Sequence, residues 1–186
     1  RFFFENNDCE VLVASRTTEL TPAKLARRAD IVIVSVPIRE TVKVIREIRD
    51  LLKPSALLCD FTSLKEDALK EMLKRKEGGV LGMHPLFGPL VPSLAGQTIV
   101  FCSGRGNGWI DFFKKLFKEN GGKIVEMSAK EHDRQMATVQ AMAHFTNIAF
   151  AKVLQKQNIE SLNAFSTPIF RLQAIVMGRI LGSNPA

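Results

Sequence analysis

Up to Met127, short unbroken apolar runs alternate with stretches of helical period. Beyond it only the helical period persists. Residues 31–36 form a β-branched run, Ile-Val-Ile-Val-Ser-Val, closed by Pro37. Continuous rather than alternating apolarity predicts a strand buried on both faces, as in a parallel sheet. Residues 10–14, 56–61, 98–102 and 123–127 predict further strands, and Val80-Leu81 another, broken into a loop from Gly82 on. Between them, Thr21-Pro22 supplies an N-cap and a proline at the first helical position. Val42, Ile45, Ile48 and Leu52 share one helical stripe, which Lys53-Pro54 stops. Ser63 and Glu66 fit a capping box before a helix to Lys76. A helix over 109–118 ends at Gly121-Gly122, a C-cap signal. Ser128 and Glu131 make a second capping box, followed by a long helix to about residue 155, and Thr167-Pro168 starts another.

Strands alternating with helices predict an α/β fold: a doubly wound, Rossmann-like, mostly parallel sheet, followed by an α-helical domain. The boundary falls between an α/β part, 1–127, in which a dinucleotide would bind, and the start of an α-helical part, 128–186. Residues 1–7 read as the end of a helix already in progress, and no first strand or glycine-rich turn stands in this sequence. The chain is therefore expected to be a piece of a longer polypeptide.

Composition narrows the function classes. The apolar share of 46% is that of a globular protein. No apolar run approaches the roughly 18 residues that span a bilayer, and the opening charges do not fit a signal peptide. Cys9, Cys59 and Cys102 lie far apart without metal-ligand spacing, so they read as reduced core residues of a cytoplasmic protein. The net charge of +7 is spread over solvated helix faces, as in Lys70, Lys74, Arg75 and Lys76. It lacks the aromatic interleaving of single-strand binders. Neither nucleic acid nor membrane is expected as a partner; an anionic small molecule is compatible.

Several residues stand where a doubly wound fold places its ligands, beyond the carboxyl ends of strands. His84 precedes Pro85, which restricts it to extended backbone. An imidazole held there is a general-base candidate, or equally a packed loop histidine. Ser15-Arg16-Thr17 leaves the first predicted strand. An acidic residue there would hold a ribose hydroxyl, whereas arginine suits a 2′-phosphate. Val36-Pro37 and Thr62-Ser63 leave two buried strands. Gln140 and His144, four apart, share a helix face. His132 reads as a surface residue at a helix start. Arg171 sits in the first turns of a helix, against the dipole; a carboxylate ligand or a salt bridge would explain it.

Taken together, Val36-Pro37-Ile38, Asp60-Phe61-Thr62-Ser63-Leu64-Lys65, Gly82-Met83-His84-Pro85-Leu86-Phe87-Gly88-Pro89, His132-Asp133 with Gln140 and His144-Phe145, and residues 166–172 (Ser-Thr-Pro-Ile-Phe-Arg-Leu) resemble the prephenate dehydrogenases. The resemblance implies oxidative decarboxylation of prephenate to 4-hydroxyphenylpyruvate with NAD or NADP, in tyrosine biosynthesis, by a homodimer joined through its helical domain. It makes His84 the catalytic base and Ser63 its orienting partner. Arg171 would grip a substrate carboxylate, and Gln140 and His144 would line the substrate pocket. Ser15, Arg16, Thr17, Val36, Pro37 and Thr62 would face the cofactor, with NADP favoured by Arg16. The alternatives are an arogenate dehydrogenase and a non-catalytic, tyrosine-sensing binding module.

Overall fold

The computed structural model describes residues 9–88 and 91–183. The expectation for residues 1–7, and Pro89 of the histidine motif, lie outside them. The chain divides into two compact units, Arg1–Asp133 and Arg134–Ala186.

The first unit is built on a five-stranded sheet in the order β1 (Ile31–Val34), β2 (Leu57–Asp60), β3 (Gly79–Pro85), β4 (Thr98–Arg105) and β5 (Lys123–Glu126). β1, β2 and β3 run parallel, with Val34 beside Asp60 and Asp60 beside Gly82. β4 reverses against β3, and β5 runs parallel to β4. Helix α1 (Pro22–Arg28) precedes β1, and α2 (Ile38–Ile48), α3 (Glu66–Leu73) and α4 (Asn107–Glu119) connect β1 to β2, β2 to β3 and β4 to β5. Two cores follow from that winding. Val32, Val34, Leu58 and Val80 pack with Ile45 and Ile48 of α2 and Leu69 and Met72 of α3. Leu57, Cys59, Leu81 and Phe101 pack with Ile110, Phe113 and Phe117 of α4. The unbroken apolarity of β2 is explained: all four of its residues are buried. Each buried Phe or Leu contributes about 1.5–3 kcal/mol.

Local signals account for most element ends. Thr21 accepts from the N–H of Lys24 at 3.3 Å, and Pro22 opens α1. Gly121 adopts φ 77°, and the N–H of Gly122 reaches the Phe117 carbonyl at 2.8 Å, closing α4. A left-handed residue at this place is what glycine permits at little cost.

Four expectations are corrected. Residues 10–14 form no strand, because no neighbouring strand among the described residues offers them a ladder; β1 is the sheet edge. β3 does not break at Gly82 but continues to Pro85, held by β4 across residues 80–85. Arg75 is no solvated-face cation. It is buried, and its guanidinium donates to the carbonyls of Ala56, at 2.8 Å, and Lys53. Ser63 does not cap α3: the N-cap is Lys65, and no side chain of its own caps the helix.

The second unit is helical. A π-helical segment, Ala137–Met142, leads into α6 (Ala143–Leu154), and α7 (Ile159–Ala164) and α8 (Pro168–Ser183) follow; α5 (Ala129–Met136) precedes them across the unit boundary. α6 and α8 pack through a Phe150–Phe170 edge contact, with ring centroids 5.7 Å apart, and a 3.0 Å bond from Gln173 Nε2 to the buried Asn147 Oδ1. Thr167 accepts from the N–H of Phe170, as its cap position predicts.

Candidate active site

Three strand exits meet at one edge of the sheet. β1 ends at Val34, beside Asp60 at the end of β2, and β3 runs past Gly82 to His84. Ser35-Val36-Pro37, Phe61-Thr62-Ser63 and His84 therefore leave the parallel strands on the same side, where doubly wound folds hold ligands.

His84 is buried, 4% exposed, at the penultimate position of β3 opposite Val100 of β4. Its Nδ1 lies 2.9 Å from Nε2 of His132. His132 is fully buried, so it is not the surface residue its place in the chain predicts. Its other ring nitrogen, Nδ1, lies 2.7 Å from Oδ1 of Asp133. The carboxylate of Asp133 in turn accepts from the backbone N–H groups of Lys65, at 2.8 Å, and Glu66, at 2.9 Å. Asp133 thus caps α3 from another helix, taking the place expected of Ser63, and joins the helix start to the imidazole pair.

Beneath this chain lies a buried ion pair. Lys65 and Asp60 are both fully buried and bonded to each other. Lys65 Nζ also donates to the Met83 carbonyl at 2.9 Å. Thr62 donates its N–H to Asp60 at 3.1 Å and points its hydroxyl at the same oxygen. The second oxygen, Asp60 Oδ1, is buried with no hydrogen-bond partner among the described residues. Gly82 leaves room beside the lysine: a Cβ there would stand 3.3 Å from Lys65 Cδ and 3.4 Å from the Cys102 carbonyl, a tight contact. Burial pushes the Asp60 carboxyl up and the Lys65 ammonium down, and each partner's charge opposes the shift of the other.

The electrostatics separate the groups. Burial first, then His132 and Lys65, hold His84 down at about 4, with Asp133 acting in the other direction. At neutral pH its ring is uncharged and able to accept a proton. Burial pushes Cys102 up to about 11 and Cys59 well above its ordinary value, so neither thiol is a nucleophile. No cluster of three or more metal-ligating side chains occurs among the described residues.

The remaining sequence candidates are placed as follows. Ser15-Arg16-Thr17 forms an exposed turn in which Ser15 Oγ accepts from the Thr17 N–H at 3.2 Å and Thr18 Oγ1 accepts from the Ser15 N–H at 2.7 Å. Val36 is half-buried and Pro37 exposed ahead of α2; Ser63 is half-buried. Gln140 lies on the π-helical segment, half-buried, and His144 one turn on, exposed. Such bulges recur at functional sites. Arg171 is exposed in the first turn of α8, its Nε donating to Ser166 Oγ at 2.8 Å. The first unit brings together His84, Thr62, Ser63, Val36 and Pro37. Gln140, His144 and Arg171 belong to the second.

The residues present fit one wall of a dinucleotide site. Three neighbouring strand exits converge, and the exposed polar turn at 15–18, its Ser15 and Thr17 N–H groups bonded within the turn, carries the cation of Arg16. Sequence reasoning missed His132, Asp133, Lys65 and Asp60 as a connected set. One signal was available for Asp60: a charge closing a fully apolar strand requires a buried partner.

Comparison with known proteins agrees with this geometry. Residues 9–126 match the family model described as the nucleotide-binding domain of prephenate dehydrogenase, and residues 128–186 match that of its dimerization domain. The chain is 39% identical over 158 residues to the T-protein of Haemophilus influenzae, covering 84% of this chain and 42% of that protein. It is 35% identical over 167 residues to a probable arogenate/prephenate dehydrogenase of Methanocaldococcus jannaschii, covering 86% and 37%. It thus spans less than half the length of these relatives. Among solved structures, it resembles prephenate dehydrogenase from Aquifex aeolicus in complex with hydroxyphenyl propionate and NAD+ (TM-score 0.69, 21% identity, 89% of this chain and 61% of that one). It also resembles Synechocystis arogenate dehydrogenase (TM-score 0.65, 16% identity, 84% and 61%).

Proposed function

The chain belongs to the prephenate dehydrogenase family, and on that premise we propose that the whole protein oxidises prephenate to 4-hydroxyphenylpyruvate, with His84 as the base. The observation that carries this reading is His84 itself: a neutral, buried imidazole at the end of a parallel strand, beside two other strand exits. His84 takes the proton of the ring hydroxyl. The nicotinamide dinucleotide, when bound, supplies the acceptor for the hydride that leaves the same carbon. The ring carboxylate departs as carbon dioxide, its bonding electrons complete the aromatic ring, and the phenolate oxygen takes the proton back as the hydroxyl of 4-hydroxyphenylpyruvate. Ser63 orients the hydroxyl. Arg171 pairs with a substrate carboxylate, for which a planar, permanently charged guanidinium suits better than lysine. Gln140 and His144 are the second unit's further candidates for substrate contact.

On the cofactor, Val36, Pro37 and Thr62 face the dinucleotide at the strand exits. Ser15, Arg16 and Thr17 meet its adenosine end. Arg16 favours NADP, whereas the Aquifex relative's structure holds NAD+. The Thr62 hydroxyl is committed to Asp60, so it acts through that carboxylate. Arogenate is the second substrate reading, supported by the names of the Methanocaldococcus and Synechocystis relatives. A homodimer is supported by the apolar exposure of the second unit, where Phe145 is 72% and Ile169 81% exposed. Reduced, buried Cys59 and Cys102 suit a cytoplasmic setting.

Steady-state rates of the full-length protein on prephenate and on arogenate, each with NAD and NADP, test the proposal. The expected result is kcat/KM for prephenate at least about tenfold above that for arogenate. Absence of turnover on both overturns it.

A further inference from the structure

His132 and Asp133 have no part in the reading above, yet they form a continuous chain from His84 to the start of α3. Their hydrogen bonds fix where the protons are. Burial acts to raise the Asp133 carboxyl, but the Glu66 N–H, the His132 ring and the Lys65 N–H together hold it below its ordinary value. An ionised carboxylate only accepts, so Nδ1 of His132 carries a proton. With that proton turned to Asp133, an uncharged His132 ring presents a lone pair at Nε2, toward His84 Nδ1 at 2.9 Å. His84 Nδ1 must donate to it, which leaves the lone pair of a neutral His84 ring on Nε2.

We propose that His132 and Asp133 are positioning residues for proton transfer, fixing His84 in its Nδ1–H tautomer and receiving through Nδ1 the positive charge that forms when Nε2 takes a proton. The accounting is closed. One proton enters at His84 Nε2 from the substrate hydroxyl. The Nδ1 proton moves to His132 Nε2, and His132 keeps its bond to the unchanged Asp133 carboxylate. The device answers a difficulty of the site. An imidazole held at about 4 is a weak base by itself, because burial, His132 and the Lys65 ammonium all disfavour charge on it. The cation instead comes to rest beside a carboxylate. Lys65 from the lead into α3, His132 and Asp133 from α5, and Asp60 and Cys102 around Lys65 are the ionisable groups facing this chain. The inference rests on the proposed role of His84 as the base.

The test uses the full-length protein with 15N-labelled histidine, assigned with His84→Gln, in the wild type, Asp133→Asn and His132→Gln. Imidazole nitrogen shifts report the tautomer without turnover, and pH profiles of kcat with prephenate and dinucleotide report the base. The wild type is expected to show His84 as Nδ1–H. In Asp133→Asn the amide donates to His132, both rings invert, and kcat falls about 100-fold or more with substrate KM within a few-fold. His132→Gln accepts from Nδ1 but cannot hold a proton. It should keep the tautomer, while kcat falls about tenfold and the acid limb of the profile moves to lower pH. A wild-type His84 in the Nε2–H form overturns the proposal, as do variants whose tautomer and pH profile match wild type. Should wild type show the Nδ1–H tautomer but no turnover of prephenate, the substrate reading fails and the tautomer assignment stands.

Discussion

Lys65 Nζ donates to the carbonyl oxygen of Met83 at 2.9 Å, one residue before His84, while its charge is matched by the fully buried Asp60. The lysine thereby ties the end of β2 to the end of β3. Removing one member of a buried pair strands the other charge, at about 3–5 kcal/mol. Lys65→Met is expected to lower stability by that amount, read as a shift in the denaturant midpoint. Joining it with Asp60→Leu should recover most of the loss, since an apolar pair of similar volume is often neutral. Equal midpoints for the single and double variants would show that the charge is not what matters.

The carboxyl of Glu71, buried on α3, sits beside Lys74 at 2.8 Å, Arg46 at 3.3 Å and Arg49. Lys74 foremost, then Arg46, hold it down to about 2 against the effect of burial. Its value in the folded protein lies below that in the unfolded chain. The stabilisation is therefore complete above about pH 4.5 and drains away as pH falls toward 2. Because Arg46 and Lys74 are more than half exposed, the contribution at neutral pH is about 1–2 kcal/mol. Glu71→Gln should lower the urea midpoint at neutral pH and converge with wild type in acid. Parallel curves at both pH values would refute it.

His84→Asn should cost at least about 100-fold in kcat, the usual contribution of a general base. Calorimetric affinity for the dinucleotide should stay within twofold of wild type. Retained turnover removes His84 from the role of base.

Arg16→Ala should weaken NADP binding by about tenfold, near 1.4 kcal/mol, and leave NAD binding unchanged. An equal effect on both dinucleotides, or none on NADP, would place Arg16 outside the phosphate site.

Phe145 and Ile169 are the most exposed large apolar groups of α6 and α8 that carry the dimer proposal. Phe145→Asp with Ile169→Asp should convert the full-length protein to monomer, with a dimer Kd raised at least about 100-fold. Sedimentation equilibrium decides. An unchanged dimer would mean that another surface mediates it.

Much of the architecture was legible from sequence, because unbroken apolar runs and cap residues act locally. β1, β2, the proline at α1 and the Thr167 cap of α8 all follow from neighbouring residues. What escaped was long-range. The pairing of β4 that carries β3 through Gly82 depends on residues further along the chain, as does the absence, among the described residues, of a partner for residues 10–14. Arg75 reads as a helix-face cation until the carbonyls of Lys53 and Ala56 are brought beneath it.

The candidate site divides in the same way. The place of His84 at a strand end was readable from the proline after it and the apolar run before it. Ser63 and Glu66 fit a capping box in sequence, but Asp133, more than sixty residues away, supplies the acceptor. No periodicity links position 65 or 66 to 133. His132 was misplaced on the surface for the same reason: its burial is created by a strand that precedes it by 48 residues.

The reversal of β4 sets where new specificity can arise. Its carboxyl end, at Arg105, lies beside Val80, at the edge from which β1, β2 and β3 start. The turn into α4 therefore lies across the sheet from the three strand exits. A directed-evolution library for altered substrate or cofactor choice in this unit can concentrate on residues 35–37, 61–64 and 86–88, while the Arg105 turn can be reserved for changes in expression or thermal tolerance.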